Sequence, residues 1–324
     1  MVKAIRIHKP GPVDAMVFED VAVPPPGPGE ARVAHKAIGI NFIDVYHRTG
    51  VYVQPSYPAG IGMEGSGIVE AVGEGVTEVK VGDRVAYASP PPGSYAEARN
   101  LKAWALVKLP ADIPFEQAAG MMLQGMTVEY LLRRTYQVKP GDTILVHAAA
   151  GGVGLILCQW AKHLGATVIG TVSSDAKAEL ARAHGCHHPI IYTRENFVER
   201  VKEITNGKLL PVVYDSIGKD TLMNSMQCLR TRGLLVSFGQ ASGKLENFDM
   251  TSLAPKSLYL TRPGLFNYNA TRAELEESAA ALFDVVRAGK VRIEIHHKYA
   301  LKDARQAHLD LEGRKTTGGH ILIP

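Results

Sequence analysis

The sequence predicts an α/β protein with two domains, one rich in short β-strands and one built on a doubly wound parallel sheet. Three observations lead there. At 324 residues the chain is long for one core and comfortable for two. Up to about Leu109, short β-like runs are punctuated by Gly- and Pro-rich turns. From Pro114 helical segments alternate with β-branched strands, the rhythm of a parallel sheet with crossover helices.

The β-like runs of the first part are VKAIRIH (2–8), ARVAHKAIGI (31–40), GIVEAVG (67–73), DRVAYAS (83–89) and WALVKL (104–109). Proline tracts such as 24–29 and 89–93 are read as rigid loops between them. FEQAAGMML and MTVEYLLRRTY then have helical composition, and Met121, Met122 and Met126 are assigned to a core. TILVHA, ATVIGTV, PIIYT, PVVYDS, GLLVSFG and SLYLT follow as strands separated by helices. After Arg262-Pro263 the rhythm breaks. Thr271 and Glu274 form a capping box ahead of a stripe of Leu275, Ala279, Leu282 and Val286 that ends before Gly289. IEIHHKYA, a short helix from about Leu301, and HILIP finish the chain. The expected domains are therefore 1–125, an inserted 126–262, and a return to the first domain over 263–324.

Bulk composition narrows the function. A hydrophobic fraction of 46% is that of a globular protein. The net charge of +4 comes from basic residues spread as pairs, such as Arg133-Arg134 on an expected solvated helix face, so nucleic acid is not an expected partner. Cys158, Cys186 and Cys228 form no CxxC and suit a reducing compartment. The opening VKAIRIH has neither the charged segment nor the apolar stretch of a secretory signal. No apolar run approaches the ~18 residues of a membrane span. A soluble, cytoplasmic protein with no membrane partner is expected. His184, Cys186, His187 and His188 fall at a helix end before a strand, where adjacent histidines diverge, and are not taken as a metal site.

Two glycine clusters compete as the phosphate cradle. Gly60-Ile61-Gly62-Met63-Glu64-Gly65 is a literal G-x-G-x-x-G, but alternating SGIVEAV follows it where a helix should begin. The second cluster, LVHAAAGGVGLIL (145–157), has the required context: a strand, a small-residue turn, then a helix with Val153, Leu157, Trp160 and Leu164 as its stripe. It reads A-x-G-x-x-G at Ala149, Gly151 and Gly154. The next strand ends at Ser173 and Ser174 with Lys177 just beyond, which suits the extra phosphate of NADPH better than the ribose hydroxyls of NADH. Asp175 stays open between an NAD-type acid and a helix cap. His147 is left without a role.

AIGINFIDVYHRTGVY (37–52), GMEGSGIVEAVGEGV (62–76), VGDRVAY (81–87), HAAAGGVG (147–154), VVYDSIG (212–218) and GLLVSFG (233–239) together resemble the zinc-free quinone oxidoreductase branch of the medium-chain dehydrogenase/reductase superfamily. The resemblance implies a GroES-like catalytic domain and a Rossmann NADPH domain. Zinc-dependent relatives carry a His where this chain has Met63 and a Cys where it has Asn41, so no metal is expected. The implied reaction is metal-independent hydride transfer from NADPH to a quinone in an interdomain cleft, with enone or alkenal reduction as the alternative. Asn41, Asp44, Tyr46 and Tyr52 are implied at its nicotinamide end, although either tyrosine can instead be half-buried packing. Thr127, Phe238 and Gly239 are implied beside the cofactor, and Gly151, Gly152 and Val153 at its pyrophosphate. Ser173, Ser174, Lys177, Tyr192 and Arg314 are implied around the adenosine phosphate, with a solvated surface position as the other role for Arg314. SLYLT (257–261) could form an edge strand of the nucleotide sheet, and the resemblance implies a homodimer through it.

Overall fold

A computed structural model describes all residues, 1–324. In chain order the first elements are β1 (Val2–Ile7), β2 (Met16–Val21), β3 (Glu30–Gly39), α1 (Phe42–Thr49), β4 (Ala59–Gly60), β5 (Glu64–Val72), β6 (Arg84–Ala88), β7 (Ala98–Lys102), β8 (Val107–Lys108), α2 (Phe115–Ala119) and α3 (Met122–Tyr130). Then come β9 (Thr143–Val146), α4 (Gly152–His163), β10 (Thr167–Val172), α5 (Asp175–Ala183), β11 (His188–Ile191), α6 (Phe197–Ile204), β12 (Leu210–Asp215), α7 (Leu222–Gln227), β13 (Leu229–Ser237) and β14 (Tyr259–Thr261). The chain ends with α8 (Leu265–Tyr268), α9 (Arg272–Arg287), β15 (Ile295–Ala300), α10 (Ala304–Glu312) and β16 (Gly319–Ile323).

Two compact units result. The first holds Met1–Met126, Asn269–Ala280 and Ile293–Pro324; the second holds Thr127–Tyr268 and Ala281–Arg292. The return drawn at 263 from the sequence thus falls later, and 281–292 groups with the second unit. The reasons are local. Tyr268 stacks on Tyr130 with ring centroids 4.5 Å apart and accepts a hydrogen bond from Arg134 at its carbonyl. The Gln159 amide pairs with both the N–H and the C=O of Arg292. Arg134 also reaches Glu129 at 2.7 Å, so it turns into the protein and does not lie on the solvated face expected for it.

In the first unit one sheet runs β15-β16-β3-β5-β6-β8, with β7 also paired to β3, and a smaller one runs β2-β1-β4. Along β3 the alternation buries Ala31, Val33 and His35 on one face, as period-two pairing requires. Val69, Val85, Tyr87 and Leu101 complete that core, and Ile5, Ile7, Met16, Ile38 and Ile61 form a second. WALVKL supplies only the two residues of β8, because 103–105 form a 3-10 turn. β2 and β7 were not expected. β7 is polar (ARNLK) and is a strand because β3 provides its ladder partner. The literal G-x-G-x-x-G is split between the end of β4 and the start of β5, with no helix after it. Its glycines serve close packing: a Cβ on Gly62 would lie 2.3 Å from the Tyr95 ring.

In the second unit the sheet order is β11-β10-β9-β12-β13-β14, all pairs parallel. Numbered from β9, this is the 3-2-1-4-5-6 order of the dinucleotide fold. Every residue of β12 is buried, as expected of a strand covered on both faces. α4 is more enclosed than a single stripe: Gly154 to Ala161 are all buried. β14 forms the sheet edge. The Thr271–Glu274 capping box forms as read, and Leu275, Ala279 and Leu282 are buried.

Gly67 tests the packing of β3 on β5. A Cβ there would sit 1.9 Å from the Ala34 carbonyl oxygen. Gly67→Ala is expected to destabilise the fold by ~3 kcal/mol, the upper end for overpacking, because backbone must move. Denaturant titration measures it; an unchanged midpoint would contradict the packing account.

Candidate functional site

Strand β9 delivers the chain into a turn from which α4 starts at once. Gly151 is the N-cap residue with φ −80° and ψ 173°, and no side chain caps the helix. No acidic residue occupies the first turn. The amides of Gly152 and Val153, both half-buried, are therefore left for an anion, which the helix dipole also favours. A Cβ on Gly154 would lie 2.2 Å from the Ala148 oxygen, so only glycine lets the helix start so close to the strand end. Ala148 adopts φ 54°, a left-handed conformation that costs a non-glycine residue about 1–2 kcal/mol. It is held by Ala149 N–H donating to Thr171 C=O at 3.0 Å and Gly151 N–H donating to Ala148 C=O at 2.9 Å. The positive φ thus falls one residue before the alanine that replaces the first glycine. Uncapped amides, a backbone pressed close by glycine and the absence of acid fit a dinucleotide pyrophosphate.

His147 has a structural role under this turn. Ser225 Oγ donates to Asp215 Oδ2 at 2.8 Å, so it accepts from His147 Nε2–H at 2.9 Å. His147 Nδ1 then accepts from Thr171 Oγ1 at 2.9 Å. Burial holds the imidazole below its usual pKa and keeps it neutral. Asp215 also accepts from the N–H groups of Ile217 and Gly218 at 2.9 and 3.0 Å. The network ties together the C-terminal ends of β9, β10 and β12. Phe238 N–H donates to Asp215 C=O at 2.9 Å, and a Cβ on Gly239 would meet the Ser216 oxygen at 2.5 Å. Phe238 and Gly239 are therefore seated against the loop that Asp215 shapes.

At the end of β10, Ser174 is the N-cap of α5, its hydroxyl accepting from Lys177 N–H at 3.4 Å. Asp175 begins the helix and does not cap it. Its carboxylate is held by Arg194 through bonds of 2.5 and 2.9 Å. Tyr192 N–H donates to Val172 C=O, and Thr193 Oγ1 donates to Ser173 C=O. Ser173, Ser174, Lys177 and Tyr192 are thereby gathered at one corner. Thr127 is buried and hydrogen-bonded to Tyr130. Arg314 belongs to the first unit, exposed after α10 with φ 56°.

The first unit holds the remaining candidates. Asn41 starts α1, and its Nδ2 donates to Glu64 Oε2 at 2.6 Å while its Oδ1 accepts from Gln124 Nε2 at 3.1 Å. Leu123 N–H donates to the other Glu64 oxygen at 2.9 Å. Asp44 departs from its expected place lining a cleft: it is 0% exposed. Its Oδ2 accepts from Asn41 N–H and Tyr95 O–H, and its Oδ1 has no partner. Behind it, Arg48 donates to His308 Nδ1, which leaves Nε2–H to donate to the Tyr95 oxygen at 3.0 Å. Arg48 is anchored by two 2.8 Å bonds to Glu312. Burial raises Asp44 to about 7 and Glu64 to about 8, and lowers His308 to about 3. Tyr46 and Tyr52 pack edge to face at 5.3 Å, Tyr46 half-buried and Tyr52 exposed. Met63 is buried, and its thioether and the Asn41 amide are poor zinc donors. No group of three or more His, Cys, Asp or Glu side chains is arranged to hold a metal ion, including the 184–188 run.

Gln124, Tyr95, His308, Arg48, Glu312 and Ser225 were not singled out from the sequence. Arg48 and His308 are 260 residues apart, so no local pattern joins them. Asp215 at least lay within VVYDSIG.

Two family models match the chain: an alcohol dehydrogenase GroES-like domain over 27–138 and a zinc-binding dehydrogenase over 152–284. A quinone oxidoreductase of Pseudomonas aeruginosa is 52% identical over 325 residues, covering 100% of both chains. A 2-haloacrylate reductase of Burkholderia sp. is 47% identical, covering 100% of this chain and 99% of its own. The crystal structure of Escherichia coli quinone oxidoreductase complexed with NADPH superposes with a TM-score of 0.98 at 49% identity, covering 99% of this chain and 100% of that one.

Glu64 and Asp44 hold protons in the folded chain up to about 8 and about 7, against 4.5 and 3.8 for unperturbed groups. Between those limits the unfolded chain binds fewer protons, so stability falls as pH rises from about 5 to about 8. Glu64→Gln keeps an acceptor for Leu123 N–H and removes one titration. Its melting temperature is expected to fall less over that window than the parent's. Parallel declines would refute the assignment of Glu64.

Proposed function

The chain belongs to the quinone oxidoreductase branch of the medium-chain dehydrogenase/reductase superfamily, and from that membership we propose that it reduces a quinone with NADPH without a metal ion. The observation that carries the reading is the β9–α4 turn, whose uncapped amides and glycine-limited approach suit a pyrophosphate. NADPH, when bound, supplies the hydride. Gly151, Gly152 and Val153 bind its pyrophosphate through backbone. Ser173, Ser174, Lys177 and Tyr192 hold the 2′-phosphate. Thr127, Phe238 and Gly239 support the nicotinamide side.

Asn41 gives one N–H to Glu64 and keeps the second for an oxygen of the cofactor or acceptor. Glu64 and Gln124 hold that amide in place, and Asp44 acts through the Asn41 backbone as a positioning residue. Tyr46 and Tyr52 offer an edge-to-face pair of aromatic rings and their phenol groups to a planar acceptor. A quinone spreads incoming negative charge onto its oxygens, so hydrogen-bond donors suffice where alcohol oxidation calls for zinc. The relative named as a 2-haloacrylate reductase favours a second reading, reduction of an activated double bond such as an enone, with Tyr52 as proton donor.

No helix is long and apolar enough to cross a membrane, and we assign the protein to the cytoplasm. β14 leaves an unpaired sheet edge with Tyr259 and Leu260 exposed. Such an edge favours pairing with a second copy, which supports a homodimer.

Purified protein treated with chelator is expected to oxidise NADPH rapidly with a benzoquinone or naphthoquinone, and NADH slowly. Faster turnover of an enone would move the function to the second reading. Dependence on added zinc would overturn the roles given to Asn41 and Met63. Placing lysine at both Tyr259 and Leu260 is expected to lower the mass in solution from two chains to one by light scattering; an unchanged mass would exclude the β14 interface.

A further inference from the structure

Asp175 lies about 20 residues beyond Gly154, close to where NAD enzymes place the acid that binds the ribose hydroxyls. A bare carboxylate there would repel a 2′-phosphate. It is not bare. Arg194 Nη1 and Nη2 hold its two oxygens at 2.9 and 2.5 Å. The segment carrying Arg194 is fastened to the corner by Tyr192 N–H donating to Val172 C=O at 3.1 Å and Thr193 Oγ1 donating to Ser173 C=O at 3.2 Å.

We propose that Arg194 is a specificity-determining residue: by pairing with Asp175 it cancels the charge that would otherwise turn the pocket from NADPH toward NADH. This rests on the reading that Ser173, Ser174, Lys177 and Tyr192 receive the 2′-phosphate. The two-bond geometry sets the guanidinium charge against both carboxylate oxygens, so the effect argued for Arg194 is charge cancellation at Asp175. Arg194 holds the Asp175 carboxyl below its usual range, by hydrogen bonding first and charge second. The other nearby charges are committed elsewhere. Arg182 pairs with Glu179 one turn along α5, and Glu195 pairs with Arg200. The side chains of Arg194 and Asp175 are 58% and 73% exposed, so the pair contributes little to folding and both can be replaced without losing the fold. Exposure also makes its field sensitive to salt.

Steady-state kinetics with one benzoquinone, NADPH and NADH test this in the parent, Arg194→Gln, Asp175→Asn and the double variant, with circular dichroism to verify folding. Arg194→Gln is expected to raise KM for NADPH about tenfold, the scale of one unmasked charge facing a phosphate across several ångströms of solvent-exposed surface. It should lower KM for NADH. Adding Asp175→Asn should restore the preference for NADPH, and the Arg194→Gln effect should shrink at high salt. An equal loss with NADPH in both Asp175 backgrounds would overturn the proposal, because Arg194 would then act on the phosphate directly. Lys177→Ala separates the proposal from its foundation. If Lys177→Ala weakens NADPH but Arg194→Gln leaves the cofactor ratio unchanged, only the proposal fails. If neither substitution alters the ratio, the assignment of the phosphate corner fails as well.

Discussion

Three carboxyl groups, Asp44, Glu64 and Asp215, are removed from water completely, and the candidate residues of each unit are arranged by the need to meet them with donors. Glu64 takes an N–H from Asn41 and one from the start of α3, which fixes the Asn41 amide. Asp44 takes the Asn41 backbone N–H and the Tyr95 hydroxyl, and a directed series of donors runs back through His308 to Arg48. Asp215 takes two backbone N–H groups and two hydroxyls, and so shapes the loop after β12 while its network braces the nucleotide turn. Removing any of these donors would leave a buried acceptor unsatisfied, which costs more than the bond itself contributes.

A second constraint is backbone proximity. Gly154 lets α4 begin against the end of β9, and Gly67 lets β5 press on β3, each at a distance that no Cβ could enter. These glycines are needed for the absence of a side chain and not for an unusual φ. Ala148 shows the converse: it accepts a left-handed φ without being glycine, because hydrogen bonds on both sides hold the turn.

The donors near Asn41 also bear on chemistry. In the proposed reaction, the Asn41 amide and the Met63 thioether, poor donors to zinc, leave hydrogen bonding as the means of stabilising charge. That suits acceptors that spread charge over their own oxygens. Glu64 and Gln124 hold the Asn41 amide in one orientation.

Much of this was legible in the sequence because it is local. Strand, turn and helix follow one another within about twenty residues around Gly151, so context alone separated a strand–turn–helix unit from the literal motif at Gly60–Gly65, which no helix follows. The capping box at Thr271 is equally local. Polar β7 and the two-residue β8 were not legible, since their strand character comes from pairing partners elsewhere. Nor was the burial of Asp44, which depends on Tyr95 and on a histidine late in the chain. Asp175 shows the division most clearly. Its position was readable from spacing, but whether it presents a charge depends on Arg194, brought beside it by the parallel pairing of β10 and β11. Periodicity and turn chemistry act over neighbouring residues and determined the elements; burial and charge pairing act through space, and only the tertiary structure decided them.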